Sequence, residues 1–360
     1  MKDNPLLALK ALGQHVWLDN LSRTLLLEGK LQRLITKDGI DGVTSNPAIF
    51  LKAIADCPYY RTELGRLRGS PLEVEARYEA LVIPDIQAAC DMLLPAYISS
   101  RSETGYVSLE VSPVLAHDVA STVAAAHRLK YAVGRENLLI KVPGTSAGVH
   151  AFEQLTAEGI RVNVTLIFSL AQYEAVAQAY LRGARRWLDD GGSAEQLRSV
   201  ASVFLSRVDT LVDKRLDAIG TAPALMLKGR AGVSLAKRCY SRYLEIFNGP
   251  FGTLTQAGVR PQTPLWASTG NKNSAYSDLR YIEPLIGPET ITTLPDTVIE
   301  TFRFHGCATA TLMTGMDDAY THTKALGASG IDLGEVGETL QIEGLRLFGE
   351  AYQQILISTQ

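Results

Sequence analysis

Cysteine is scarce: the four in this 360-residue chain, Cys57, Cys90, Cys239 and Cys307, are far apart and form no CxxC pair. That excludes a disulfide-stapled scaffold and a zinc ribbon, and it points to reduced, packed thiols of a cytoplasmic protein. No HxH occurs, and the six histidines at 15, 117, 127, 150, 305 and 322 fall mostly where helices or loops are expected, so no metal site is signalled. No GxGxxG follows the first expected strand, which removes the usual dinucleotide loop. Charge of one sign is missing too, since 35 basic residues stand against 38 acidic ones for a formal net charge of −3. A nucleic-acid binder working through a basic face is therefore not expected. Uncharged runs such as Val162–Tyr173, twelve residues, fall short of the ~20 needed for a membrane-spanning helix. Met1-Lys2-Asp3-Asn4-Pro5 offers no apolar core of a secretory signal. A soluble cytoplasmic protein without membrane association is expected. No repeat or heptad points to a partner protein, so any self-association would be as a homo-oligomer.

What the chain does have is 46% hydrophobic and 20% charged residues, enough for a large core without staples. Short β-like runs alternate with helical patterns. The expected strands are Val16–Asp19, Gly42–Asn46, Val107–Val111, Leu138–Val142, Val162–Phe168, Ser199–Leu205, Pro264–Ser268 and Thr290–Leu294. Ser70-Pro71-Leu72-Glu73 reads as a capping box opening a helix towards Leu94, and Ser169 as the cap of a helix reaching about Leu188. Helical patterns also span Ala116–Ala132, Gly148–Glu158, Leu205–Ile219, Gly232–Phe247, Thr297–Phe304 and about Glu335–Ile357. Eight strands alternating with helices imply an α/β fold, a (β/α)₈ TIM barrel, rather than an open doubly wound sheet. The stretches 51–106 and 220–263 read as helical insertions, and residues 1–360 as one barrel domain.

Residues two apart in a strand share a face. Sorted this way, Asp19 goes with Trp17, Asn46 with Thr44, Glu110 with Ser108, Lys141 with Leu139, Asn163 with Thr165, Ser202 with Phe204 and Ser268 with Trp266. The face of a barrel that packs on helices must be apolar, so the polar set is expected to point inward, near the strand ends where barrel active sites lie. Burying two carboxylates and an amine is costly unless a site needs them. The bland alternative is a satisfied internal network with a structural Lys–Glu pair. A desolvated lysine has a specific chemistry: its freed amine attacks a ketone and forms a Schiff base, an electron sink for breaking the adjacent carbon–carbon bond. Asp19 and Glu110 could serve as acid and base, and Asn46, Asn163, Thr165 and Ser202 could hold sugar hydroxyls. A class I aldolase logic results. A lysine alone leaves flavin or PLP enzymes open, although Ser268-Thr269-Gly270 matches a PLP phosphate loop only faintly.

Particular segments go further. Asp41-Gly42-Val43-Thr44-Ser45-Asn46-Pro47, Val107–Val111, Asn137–Pro143, Gly159–Ser169, Ala201–Arg207 and Trp266–Gly270 together cover the barrel, and the sequence resembles the transaldolase family in its longer bacterial form. The resemblance implies a (β/α)₈ barrel that works without a cofactor. It implies sugar-phosphate substrates, with a dihydroxyacetone unit moved from sedoheptulose 7-phosphate to glyceraldehyde 3-phosphate. By position it makes Lys141 the nucleophile and Asp19 the base at the donor's C4 hydroxyl, and it gives Glu110 with Thr165 the orientation of a proton-shuttling water. Asn46, Asn163 and Ser202 would hold the dihydroxyacetone hydroxyls, and Thr44 would support Asp19 or the lysine. Arg207 and Ser268 match the phosphate end. Many members carry an arginine two residues after that serine, where this chain has Gly270, leaving Lys272 as the nearest cation. A fructose-6-phosphate aldolase-type lyase would use the same lysine, and a non-catalytic sugar-phosphate-binding barrel would leave it idle.

Overall fold

The computed structural model describes residues 4–360. Eight strands, β1 Gln14–Asp19, β2 Gly42–Thr44, β3 Tyr106–Glu110, β4 Leu138–Pro143, β5 Val162–Ile167, β6 Ser199–Phe204, β7 Thr263–Ala267 and β8 Thr290–Leu294, close into a barrel in chain order. Every pairing is parallel, β8 returning to β1 through Gln14 to Leu18 against Thr290 to Leu294. Each expected strand is present within two residues at either end. The register puts Glu110 beside Lys141 and Lys141 beside Asn163 across β3, β4 and β5. Asp19 stands level with Thr44 across β1 and β2.

Strand residues such as Val107, Leu139, Val162, Val164 and Val203 are fully buried, and the core runs from the barrel into the surrounding helices. Trp17 occupies the barrel beneath Asp19. It dictates Gly42 on the neighbouring strand, because a Cβ there would sit 2.4 Å from the indole ring. Ser169 caps the helix Leu170–Asp189, accepting a hydrogen bond from Gln172 N. Asp118 caps Val119–Val133, three residues later than the expected start.

The capping box at Ser70 is not formed. Ser70 follows the helix Arg61–Arg68 and its hydroxyl donates back to the Leu67 carbonyl (2.6 Å), so it closes one helix rather than opening the next. The next helix begins at Val74 behind Glu73, with no side-chain cap, and runs to Ser99. This 26-residue helix has the length and hydropathy of a membrane span by composition. In the fold its inner stripe, including Leu81, Ile86, Cys90 and Leu93, is buried. Asp85 on the same helix pairs with Arg23 (2.9 Å) and accepts from the Tyr60 hydroxyl (2.7 Å).

The stretch from 51 to 106 holds these helices, and 220–263 holds Ala222–Leu225, Ala231–Asn248 and Gly252–Gln256. The C-terminal helix Leu333–Thr359 lies across the molecule, packing on the helices Pro47–Asp56 and Val74–Ser99 and on β5.

Candidate active site

Lys141, the inward residue near the end of β4, is only 4% exposed. Its Nζ donates to the Ser45 carbonyl at 2.9 Å and lies 3.2 Å from Glu110 Oε2. Ser45 belongs to the turn after β2, and Glu110 is the last residue of β3. Both partners are therefore delivered by strand ends, as the register requires. On the other side of the lysine, Ser202 Oγ donates to Asn163 Oδ1 (2.7 Å), and Asn163 Nδ2 donates to Ser108 Oγ (3.2 Å). Side chains from β6 and, across the barrel interior past β4, from β3 thus fix the Asn163 side chain on β5.

A cavity of about 130 Å³ opens above this row, lined by Asp19, Thr44, Asn46, Lys141, Thr165, Ser202, Phe204, Arg207 and Ser268 among others. Larger hollows, of about 480 and 350 Å³, lie elsewhere on the molecule and contain neither the inward lysine nor its acids. Burial pushes the Asp19 carboxyl above its ordinary range, partly offset by the Lys141 cation. Glu110 is raised for the same reason, with Lys141 opposing and Asp19 adding to the shift. Two acids with raised proton affinity flank one amine, a set able to exchange protons with a bound carbonyl compound. Apart from its ion pair with Lys141, Glu110 Oε2 has no hydrogen-bond partner among the described residues, and buried Thr165 Oγ1 has none either. Thr165 lines the cavity from β5, whose register shifts between Val164 and Ile167 as Leu166 takes a φ of 59°.

The other expected residues fall as follows. Asn46 lies beyond the end of β2, where its Oδ1 accepts from Ile49 N and caps the helix Pro47–Asp56, leaving its amide group at the cavity wall. Arg207, in the first turn of Ser206–Ile219, brings its guanidinium to the opposite wall, and its Nη1 is buried and unpartnered among the described residues. Ser268 also reaches the cavity, but not by strand alternation with Trp266. Leu265 and Ala267 are the inward residues of β7, so Trp266 faces the helices; Ser268 turns in because its backbone adopts φ 55° after the strand ends. Its hydroxyl shares a 2.8 Å hydrogen bond with Ser206. Lys272 does not line the cavity; it is exposed in a neighbouring hollow with Thr210, Asp213 and Asn271. Partial desolvation at the rim of that hollow lowers its pKa despite the exposure of the side chain, and the nearby Arg207 cation lowers it further.

Residues 16–359 match the family model described as transaldolase/fructose-6-phosphate aldolase. The chain belongs to that family. A transaldolase from Thiobacillus denitrificans is 52% identical over 346 residues, covering 96% of each chain. One from Neisseria gonorrhoeae is 44% identical over 348 residues, 96% of this chain and 97% of the relative. One from Mycobacterium tuberculosis is 43% identical over 361 residues, 99% and 97% respectively.

Beyond the family pattern, the site has parts that strand alternation did not reveal. Phe348 of the C-terminal helix, Ala48, and Thr293 of β8 complete the cavity wall. The Ser45 carbonyl, a backbone group, carries no residue-type signal at all. Ser108 was visible as the inward partner of Glu110, and Ser206 only as a neighbour of Arg207. Among the described residues no group of three or more His, Cys, Asp or Glu side chains is placed to hold a metal ion.

Proposed function

We propose that this chain is a transaldolase in which Lys141 carries a three-carbon ketose fragment as a Schiff base. The observation that carries the reading is one buried amine, 3.2 Å from the Glu110 carboxylate, opening into a cavity that it shares with Asp19. Lys141 adds to the C2 carbonyl of a ketose phosphate such as sedoheptulose 7-phosphate. The carbinolamine loses water, with Glu110 and Thr165 holding the molecule that moves the protons. Asp19 takes the C4 hydroxyl proton, the C3–C4 bond breaks into the iminium, and the aldose product leaves while the enamine stays on the lysine. An acceptor aldehyde, glyceraldehyde 3-phosphate, is then attacked by the enamine carbon, and hydrolysis releases the new ketose. Asn46, Asn163 and Ser202 are assigned to the fragment's hydroxyls and Thr44 to the support of Asp19.

Arg207, with its unpartnered buried N–H, is assigned to the phosphate, Ser268 beside it, and exposed Lys272 to the outer edge of the same anion. We read the chain as one domain, a soluble cytoplasmic enzyme of the pentose phosphate pathway.

The test is borohydride reduction in the presence of fructose 6-phosphate. Mass spectrometry is expected to find the adduct on Lys141 and to lose it in Lys141→Ala. No adduct, or one that survives the substitution, overturns the assignment. Comparing transfer to erythrose 4-phosphate with release of free dihydroxyacetone separates transferase from lyase. Predominant release would move the chain to the aldolase side of its family.

A further inference from the structure

The C-terminal helix Leu333–Thr359 does more than cover the barrel. Gln341 Nε2 donates to two carbonyls at the strand ends, Gly144 O at 2.8 Å and Leu166 O at 3.1 Å. Gly144 follows β4, the strand of Lys141. Leu166 follows Thr165 within β5. The two strand ends are also joined directly, since Gly144 N donates to the Thr165 carbonyl at 2.7 Å. One turn further along the helix, Gly344 is pressed against Leu166: a Cβ there would lie 2.9 Å from the leucine Cδ2 and 3.6 Å from Arg207 Nη1. Phe348, on the same face, is a wall of the cavity. Positions 341, 344 and 348 therefore present one stripe of the helix to the mouth of the barrel.

Leu166 is the reason such a clamp matters. Its φ of 59° is unfavourable for a branched side chain and persists only where the surroundings over-determine it. That backbone turn follows Thr165 directly, and the Thr165 hydroxyl is buried at the cavity with no hydrogen bond among the described residues to hold its direction. Its orientation is thus set by the backbone it hangs from and by packing, with no hydrogen bond of its own. Gln341 is the side chain that grips that backbone on both sides, through Leu166 O and through Gly144.

We propose that Gln341 is a positioning residue for the Schiff-base steps, acting through Thr165 from outside the barrel. The inference rests on the Schiff-base reading above and adds to it a residue from an element that contributes no strand. The test follows the rate of borohydride-trapped adduct formation with fructose 6-phosphate in wild type, Gln341→Ala, Thr165→Ala and the double variant. Gln341→Ala is expected to slow adduct formation by roughly 10- to 100-fold, the scale of a small misplacement, with KM for the ketose within about twofold of wild type. The double variant is expected to be no slower than Thr165→Ala alone, because the glutamine's effect is spent through that hydroxyl.

A wild-type rate in Gln341→Ala overturns the proposal, as does a double variant in which the two losses multiply. A lowered melting temperature with an unchanged rate per folded molecule makes Gln341 merely structural and also overturns it. Should Gln341→Ala fail to fold, Gln341→Glu keeps the volume while removing both donors at neutral pH, and the same criteria apply. Absence of any adduct in the wild type would fell the Schiff-base reading and this inference with it. A trapped wild type with an unaffected Gln341→Ala fells the inference alone.

Discussion

Two lysines of this chain are buried to nearly the same degree, Lys141 at 4% exposure and Lys237 at 7%, yet they keep different company. Lys237, on the helix Ala231–Asn248, donates to the carbonyls of Thr311, Leu312 and Thr314 at 3.0, 2.9 and 2.8 Å. All three of its hydrogens are committed, and every acceptor is a neutral backbone group of one loop. Burial pushes its pKa down to about 8. Lys141 has one carbonyl, one carboxylate, and a cavity in front of it. Desolvation alone therefore does not mark a nucleophile. A lysine becomes reactive when part of its hydrogen-bonding capacity is left free and acids stand close enough to move protons.

The sharpest way to break that contrast is to keep the cation at 141 and remove the amine. In Lys141→Arg the guanidinium can still face Glu110 but cannot form a Schiff base. Turnover is expected to fall by ~10⁴-fold or more, the scale seen when a nucleophile is removed, with near-UV circular dichroism unchanged. Substantial turnover in this variant would deny the amine its role.

Asp19→Asn comes next. It leaves Lys141 and Glu110 in place, so trapped adduct should still form, while carbon–carbon cleavage slows by ~10²–10⁴-fold, the usual contribution of a positioned base. Single-turnover kinetics separates the two steps, and equal loss in both would assign Asp19 to Schiff-base formation instead. For the other lysine the expectation reverses. Lys237→Met orphans three carbonyls and is expected to cost about 2–3 kcal/mol, lowering the melting temperature by roughly 2–4 °C. Its kcat/KM should remain within twofold of wild type; a tenfold loss would give Lys237 a part in the chemistry.

How much of this was legible in the sequence follows from which interactions are local. The strands were, because runs such as Val162-Asn163-Val164-Thr165 carry both β-branched residues and an alternation that the barrel enforces on its two faces. The inward positions of Asp19, Glu110, Lys141, Asn163 and Ser202 follow from that alternation alone. It fails where the backbone leaves the pleat, at Ser268 with φ 55° and beyond β2 at Asn46, whose side chain works as a helix cap. Ser70 misled because a hydroxyl followed by proline and an acid three residues on suits a helix start, whereas the Leu67 carbonyl of the preceding helix was the nearer partner. The parts furthest from legibility, Gln341 and Phe348, sit on a helix whose amphipathic pattern says that it packs but not on what. Its placement over β4 and β5 is a tertiary outcome of its contacts with the helices after β2.

The smallest expected effect bears on what the reactive arrangement costs. Burial raises the Asp19 carboxyl above its ordinary value of 3.8, and the Lys141 cation offsets this only in part. A folded-state pKa raised above the unfolded one means that the folded chain holds the proton more tightly. Stability from this group is then present at low pH and lost as pH climbs from about 4 through the raised value. Charging this buried carboxyl is a net burden on the fold, and its charge also raises Glu110. Asp19→Asn, the variant that cripples cleavage, is accordingly expected to melt about 1–3 °C above wild type at pH 7, with the gap closing as the pH approaches 4. Lys237→Met should show no such crossing, since no acid among its three bonded partners changes charge in that range. A lower melting temperature for Asp19→Asn at pH 7, or a gap that does not change with pH, would mean that the carboxylate is stabilised by Lys141 more than burial penalises it, and that the site is held together by its charges rather than strained by them.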